Sequence, residues 1–201
     1  MRFGRRPFLL AAASAVVAAS ARATPAAFET PRTLTAFLMN MKRAAEERLL
    51  LDEAFYAEAN LRRAFAATHV EYGTPAAGVR RSGTVSGFGV LSDGVRVRGS
   101  VRENMRLDFT LSAPENAAPE GNLRLSFVIP KRSFDDIEAA FGKAWTEVPY
   151  VPPSTDREPY ASRLHGSSVI SYTLGAGSPG GWLTFAFDAR ALLELVTVAN
   201  R

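Results

Sequence analysis

The sequence predicts an α+β fold in which two N-terminal helices precede a four-stranded antiparallel meander, a short helix and a final two- or three-stranded antiparallel element. Three patterns support this prediction. Apolar residues recur at three- and four-residue steps up to about residue 67, they alternate with polar residues from about 95 to 129, and a helix start signal follows at Ser133. We expect one domain over residues 32–201, and the open alternative is two related halves, 32–130 and 131–201.

The first 23 residues have the pattern of a secretory signal peptide. Arg5 and Arg6 supply its positive start, an uncharged stretch follows, and Ala21 and Ala23 form the small-x-small end that signal peptidase recognises. The arginine pair, followed by Pro and then Phe-Leu, resembles the twin-arginine export motif. We therefore expect cleavage near Ala23, a flexible lead-in over residues 24–31, and a periplasmic or secreted protein; an uncleaved leader is the alternative.

Composition excludes several classes of function. The chain has 24 basic and 20 acidic residues, and the leader contains four arginines and no acid, so the mature chain is neutral and a nucleic-acid partner is not expected. There is no cysteine, which excludes disulfides, thiolate catalysis, cysteine-bound metal and a lipid anchor on cysteine. No stretch of the mature chain is long and apolar enough to predict a transmembrane anchor.

Two helices are predicted before the strands, at about 32–48 and 52–67, and one long helix is the alternative. Asp52 is the candidate N-cap of the second helix. After Gly73-Thr74-Pro75 the apolar period changes to two, which indicates strands buried on one side. Short gaps between the apolar runs favour a meander, with a hairpin signal at Ser92-Asp93-Gly94.

A further helix and strands are predicted in the last third of the chain. Ser133 is a good N-cap, acidic residues follow in the first turn, and Gly142 is typical of a helix end. After a proline-rich loop, residues 169–174 and 182–187 are predicted strands. Residues 192–198 have mixed propensities, and we prefer a third strand over a helix there.

A weak internal repeat relates the two parts of the chain. Residues 61–71 align with residues 137–147 at a constant offset of 76, with identities at Ala64/Ala140, Phe65/Phe141 and Glu71/Glu147. Because each copy lies at a predicted helix end before strands, we consider a duplicated helix-then-sheet unit, with chance similarity as the alternative.

The stretch from Ser133 to Val198 resembles the small outer-membrane assembly lipoproteins and the related β-lactamase-inhibitor-protein fold. The matching segments are Ser133–Ile137 and Phe141-Gly142 around the helix, then Ile170–Leu174, Leu183–Phe185 and Phe187-Asp188 in the strands. The chain departs from the family pattern at Ala144, where proline is frequent, and in lacking the lipidated cysteine. The resemblance implies a binding module rather than an enzyme, and it does not imply membrane tethering.

No catalytic, cofactor-binding or metal-binding residues are predicted. The two histidines, His69 and His165, occur in no metal-binding spacing, and the Ser167 that follows His165 is not part of a nucleophile-elbow motif. The glycine-rich turn at 175–181 lacks the Lys-Ser/Thr pair of a phosphate-binding loop. A hydrolase that uses His165 with a nearby Ser or with Asp156 remains an alternative function, and a structural envelope component is a third.

Surface residues are the candidate functional residues. We expect an arginine-rich sheet face to contact a partner, with rigid aromatic side chains around the proline-rich loop as further anchors. A solvated sheet face and a lid over the core are the alternative interpretations. The preferred function is an exported, non-enzymatic binding, inhibitor or immunity-type protein, whose partner is another envelope protein or an anionic ligand; the oligomeric state is left open. The candidate contact residues are Arg96, Arg98, Arg102, Arg106, Arg124, Trp145, Tyr150 and Tyr160.

Overall fold

The structure is a computed structural model that describes residues 28–201, except for positions 75, 93, 98–99, 130–131, 149–168, 173, 175–179 and 189. Its strands are β1 (His69–Tyr72), β2 (Val79–Ser86), β3 (Gly94–Val97), β4 (Ser100–Glu103), β5 (Met105–Ser112), β6 (Glu120–Phe127), β7 (Trp145–Glu147), β8 (Val169–Tyr172), β9 (Gly181–Phe187) and β10 (Leu193–Asn200). Its α-helices are α1 (Leu34–Glu46), α2 (Glu58–Phe65) and α3 (Phe134–Phe141). The protein is thus an α+β protein with an antiparallel sheet.

Eight strands form a single antiparallel sheet in the order β1-β2-β5-β6-β10-β9-β8-β7, and β3 and β4 form a separate two-stranded sheet. The predicted fold class is therefore wrong, because it divided these strands between a four-stranded meander and a separate terminal element. The two groups join where β6 pairs with β10, with Leu125 opposite Val196 and Leu123 opposite Val198. This pairing between distant segments continues one apolar surface across the whole sheet, and no short-range pattern indicates it.

The predicted pair of N-terminal helices, at about 32–48 and 52–67, is also wrong, because 3-10 turns occupy the start of the second predicted helix. The 13-residue α1 is followed by two 3-10 turns, Leu49–Leu51 and Glu53–Tyr56, and then by the eight-residue α2. Arg48 adopts a left-handed backbone conformation that ends the path of α1. Asp52 caps a 3-10 turn rather than a long helix, since its side chain accepts a hydrogen bond from the N–H of Ala54 at 2.9 Å.

The three helices pack against one face of the sheet, which we call the inner face. Asn200 of β10 donates from its side chain to the carbonyl of Ala45 in α1, 3.0 Å away, and the ring of Phe109 in β5 lies 5.4 Å from that of Tyr56. Phe134 and Phe141 of α3 contact Phe187 and Phe185 of β9 at 5.3 and 5.0 Å between ring centres. Burial of apolar surface such as these aromatic side chains favours folding by about 25 cal/mol per Å².

Phe28 lies inside the segment predicted to be a flexible lead-in, but it is buried. Its ring meets the ring of Phe55 edge-on at 6.0 Å, and the guanidinium of Arg43 lies 5.2 Å from the ring centre. The first residue of the described chain therefore already packs against the hydrophobic core.

Each predicted half contributes a short helix followed by four strands of the large sheet. The helix of the second half, α3, begins 76 residues after α2 of the first half. Strand β7 likewise begins 76 residues after β1, which is the same offset as in the sequence repeat. The β3–β4 hairpin is inserted between β2 and β5 in the first half. The division into two related halves stays a prediction.

Among the described residues, no helix combines the length and the apolar character that a membrane crossing requires.

Candidate functional site

The face of the sheet opposite the helices, which we call the outer face, has a continuous polar row. Because side chains alternate between the two faces of a strand, residues in register across neighbouring strands line up on one face. The register places one polar side chain from each of the eight strands in this row: Glu71, Thr84, Asp108, Arg124, Thr197, Thr184, Ser171 and Thr146.

The adjacent outer row changes character along its length. Arg106 and Ser126 at one end are polar, whereas Leu195, Ala186 and Val169, which follow in register, are aliphatic. The outer face therefore offers charged groups, hydroxyl groups and an aliphatic strip side by side.

A hollow of about 710 Å³ lies on this face where the two rows meet. Two basic and two acidic side chains line it, Arg106 and Arg124 with Asp108 and Glu194, together with the hydroxyl of Thr184 and the aliphatic strip. Its size is within the usual range of binding clefts. Its charges balance, which favours a partner of mixed polarity over a strongly anionic polymer.

Arg106 and Asp108 of the hollow and the neighbouring Thr84 hold one another in place. The Nε of Arg106 lies 2.9 Å from Oδ1 of Asp108, and the hydroxyl of Thr84 donates to the same oxygen at 2.8 Å. The same hydroxyl accepts from Nη2 of Arg106 at 3.0 Å. An ion pair as exposed as this one adds little stability, about 0–1 kcal/mol, so its more informative consequence is a pre-oriented guanidinium.

The predicted contact arginines that the structure describes lie in two separate sheets. Arg106 and Arg124 are exposed on the outer face. Arg96 and Arg102 belong to the separate hairpin, where Arg96 is opposite Val101 and Arg102 is opposite Val95. This hairpin forms a sheet of its own, separate from the eight-stranded sheet that carries Arg106 and Arg124. Arg98 is outside the described residues, and the partner contact of all five arginines stays a prediction.

Of the three predicted aromatic contact residues, the structure describes Trp145. Trp145 points toward the helices: its ring is edge-on to Phe134 at 5.3 Å, and its N–H donates to Glu138 at 2.9 Å. It therefore packs beside α3 and is half-buried. Tyr150 and Tyr160 lie outside the described residues.

The residues of the alternative hydrolase cannot be placed together. His165, Ser167 and Asp156 all lie outside the described residues. His69 is exposed at the start of β1, with its Nδ1 2.7 Å from the hydroxyl of Thr68. In the part of the chain that the structure describes, no cluster of His, Cys, Asp or Glu side chains has the arrangement of a metal site. The export-signal residues Arg5, Arg6, Ala21 and Ala23 are also outside the described range.

The sequence analysis missed the hydroxyl and aliphatic residues of the outer face. Thr184 lies between the buried Leu183 and Phe185, and Thr197 lies between the buried Val196 and Val198. The same alternation that was used for the arginines places these threonines on the outer face. What the alternation does not indicate is that β9 and β10 continue the sheet of β5 and β6.

Comparisons with protein-family models, with curated proteins and with solved structures each found no match to this chain.

Proposed function

We propose that this is an exported, non-enzymatic binding protein of the inhibitor or immunity type, which contacts a partner protein of the cell envelope through the outer face of its large sheet. The observation that carries the proposal is the hollow on that face, where charged, hydroxyl and aliphatic side chains meet. The helices pack on the inner face, so the outer face is the broad surface that the described helices leave to a partner.

A protein partner fits this surface better than a polyanion does. The basic and acidic side chains of the hollow are equal in number, and Arg106 already has Asp108 as its ionic partner. A protein loop supplies both signs of charge and an aliphatic side chain that covers Leu195 and Ala186. The balanced charge thus supports the protein alternative among the two kinds of partner that the sequence suggested.

Export is supported by the leader pattern of residues 1–23. In a bacterial host with a twin-arginine pathway, the wild-type chain is expected in the periplasm with a new N-terminus near Thr24. Replacement of Arg5 and Arg6 by lysine is expected to retain the full-length protein inside the cell. Fractionation and N-terminal sequencing distinguish these results, and a chain recovered from the cytosol with its leader intact in both cases contradicts export.

Site-specific photo-crosslinking in living cells tests the outer face directly. A photoreactive amino acid placed at Thr184 or Thr197, on the outer face, is expected to give one adduct of constant mass. The same amino acid at Met39 or Arg63, exposed on the helical side, serves as the matched control and is expected to give none. Adducts from the helical side, or no adduct from any position, would overturn the proposal.

A second variant links the adduct to the hollow. Leu195→Glu introduces a charge into the aliphatic strip and is expected to abolish the adduct formed from Thr184. Arg63→Glu on α2 is the control and is expected to leave it unchanged. Circular dichroism and thermal unfolding of both variants confirm that the fold is retained, so loss of the adduct reports on contact.

A further inference from the structure

Strand β10 has a β-bulge beside the hollow of the outer face. Leu193 and Leu195 are opposite the consecutive residues 187 and 186 of β9, which leaves Glu194 between them as an extra residue. In a regular strand Glu194 and Leu195 would be on opposite faces, because side chains alternate. Both of them line the hollow instead. The bulge therefore places a carboxylate and an aliphatic side chain next to each other on one surface.

Glu194 differs from the other acid of the hollow, Asp108, in its contacts. The Asp108 carboxylate has two partners: the Nε of Arg106 lies 2.9 Å from Oδ1, and the hydroxyl of Thr84 donates to the same oxygen at 2.8 Å. Glu194 is half-buried, and none of the described residues supplies an ion pair or a hydrogen bond to its carboxylate. A carboxylate that a partner covers without pairing costs free energy, so Glu194 favours a partner that brings a cation.

Aliphatic side chains lie directly beside Glu194. Leu195 is opposite Ala186 on β9, which is opposite Val169 on β8, and all three are half-buried. Neighbouring strands are about 4.8 Å apart, a distance that the four-carbon stem of a lysine spans. An amphipathic side chain of this kind covers apolar surface with its stem and carries its charge at the end. The aliphatic strip and the carboxylate together therefore fit a lysine or an arginine side chain.

The two arginines of the hollow do not prevent a cation from binding at Glu194. The charge of Arg106 is offset by Asp108. Arg124 is opposite Thr197, three residues along β10 from Glu194, or about 10 Å at the rise of an antiparallel strand. At physiological ionic strength, charges on an open surface at that separation are largely screened.

We propose that the partner protein inserts a lysine or arginine side chain into the hollow, with its stem on Leu195 and Ala186 and its charged end at the Glu194 carboxylate. This inference rests on the proposed function, and it names the chemical group by which the partner is recognised. An acidic side chain would be repelled by the carboxylate, and an aliphatic one would leave it without a counter-charge. Glu194 is thus a specificity-determining residue of the outer face.

Methyl NMR of the full chain tests the hollow without the partner. The probes are capped tripeptides with lysine, norleucine or glutamate between two alanines, and free butylamine. The lysine tripeptide is expected to shift the methyl signals of Leu195, Ala186 and Val169. It is expected to bind about tenfold more tightly than the norleucine tripeptide, which has the stem without the charge. High salt is expected to reduce that difference.

Two charge variants test the carboxylate, with a matched control on the same face. Glu194→Gln keeps the shape of the side chain and is expected to remove most of the preference for lysine. Glu194→Lys is expected to abolish both the binding of the lysine tripeptide and the photo-crosslink from Thr184. The control Glu71→Lys makes the same change of charge on β1, four strands or about 19 Å away, and is expected to change neither. Circular dichroism verifies that all three variants fold.

Four results would overturn the inference. Equal binding of the lysine and norleucine tripeptides would show that the charge is not recognised, and tighter binding of the glutamate tripeptide would show an anion site. Butylamine that binds as tightly as the lysine tripeptide would identify a site for small amines. A Thr184 adduct that persists in Glu194→Lys would show a contact that does not need this carboxylate.

The failure of this inference is distinguishable from the failure of the proposed function. A wild-type adduct from Thr184 that Glu194→Lys leaves unchanged removes the lysine contact and leaves the outer face as the docking surface. The absence of any outer-face adduct from the wild type removes the docking surface and, with it, the contact at Glu194.

Discussion

The carboxylate of Glu103 accepts the backbone N–H of Phe88 at 2.6 Å, and this bond joins the base of the β3–β4 hairpin to the loop that follows β2. The neighbouring N–H of Gly87 donates to the other carboxylate oxygen at 2.7 Å. With its backbone held in this way, the Phe88 side chain is buried, edge-on to the ring of Phe37 on α1 at 5.5 Å. One carboxylate thus couples an inserted hairpin to the helical side of the core.

Removal of the Glu103 carboxylate is expected to destabilise the protein measurably. Glu103→Ala leaves two partly buried N–H groups without their charged acceptor, which costs about 2–3 kcal/mol, and Glu103→Gln costs less because an amide oxygen can still accept one of them. Urea unfolding measures both. Glu115→Gln, in the exposed turn between β5 and β6, is the control and is expected within about 0.5 kcal/mol of wild type. Equal midpoints for Glu103→Ala and the control would contradict the coupling.

Gly121→Ala is expected to be strongly destabilising because β6 lies directly on the backbone of Leu50. A Cβ at residue 121 would overlap the carbonyl carbon and oxygen of Leu50 and would lie 2.7 Å from its Cβ. Backbone atoms cannot move aside as a side-chain end does, so we expect a loss of about 1–3 kcal/mol or more. In Gly94→Ala, the control, the nearest atom is a methyl group of the exposed Val101 at 3.1 Å, and a smaller loss is expected. Thermal and urea unfolding rank the two, and the reverse ranking would contradict the packing.

Tyr56→Phe is expected to change how stability depends on alkaline pH. The hydroxyl of Tyr56 donates to the carbonyl of Leu50 at 2.8 Å, and burial raises the pKa of this phenol well above its usual value. In wild type, stability is therefore complete below the unfolded-state pKa of about 10, and it falls as the pH rises beyond that value because the unfolded state ionises first.

At pH 7, Tyr56→Phe is expected to lose about 1 kcal/mol with the hydrogen bond. Above pH 10 the gap between wild type and variant is expected to narrow, since phenylalanine cannot ionise. Unfolding free energies measured from pH 7 to pH 11 test this, and stability curves that stay parallel through pH 11 would show that the phenol ionises in the folded state as well.

Asp188→Asn is expected to change how the free energy of unfolding depends on pH in the acidic range. The Asp188 carboxylate organises the turn between β9 and β10. It accepts from the N–H groups of Arg190 and Leu192, at 2.9 and 3.0 Å, and from the guanidinium of Arg190. Partial burial alone would raise the pKa of this carboxyl, but the hydrogen bonds from Leu192 and Arg190 outweigh it and hold the pKa below its usual value.

The contribution of a carboxylate with a lowered pKa is present above about pH 4 and is lost as the pH falls through the folded-state value. The variant is therefore expected to be less stable than wild type at pH 7 by about 1–2 kcal/mol, with the difference shrinking between pH 4 and pH 2. Unfolding at a series of pH values checks the trend, with Glu115→Gln as the reference. A difference that stays constant down to pH 2 would mean that the turn does not depend on the ionised carboxylate.

Local features were predictable where neighbouring residues alone decide them. Ser133 caps α3 by accepting from the N–H of Asp136 at 3.2 Å, while Asp136 accepts from the N–H of Ser133 at 2.9 Å, and Gly142 ends the helix with a positive φ of 83°. Alternation along β5 correctly separates Leu107 and Phe109, which are buried, from Arg106 and Asp108. Both signals depend on residues within four positions of one another.

Long-range pairing was not predictable in the same way. Because β3 and β4 form a separate two-stranded sheet, β2 pairs directly with β5, with Thr84 opposite Asp108. The pairing of β6 with β10 joins Arg124 to Thr197, residues 73 positions apart. Neither contact has a local signature, because any two strands with one apolar face satisfy the same alternation.

The amino-acid sequence by itself determined which residues start and end α3, which side chains along each strand are apolar, and that cysteine chemistry is absent. These properties depend on short-range sterics, on capping and on composition. Only the tertiary structure decided that eight strands form one sheet, that the helices cover a single face of it, and that Arg106 and Arg124 separate from the hairpin arginines. The physical reason is that burial is optimised over the whole chain at once, and the apolar rows of distant strands become one surface only when β6 and β10 meet.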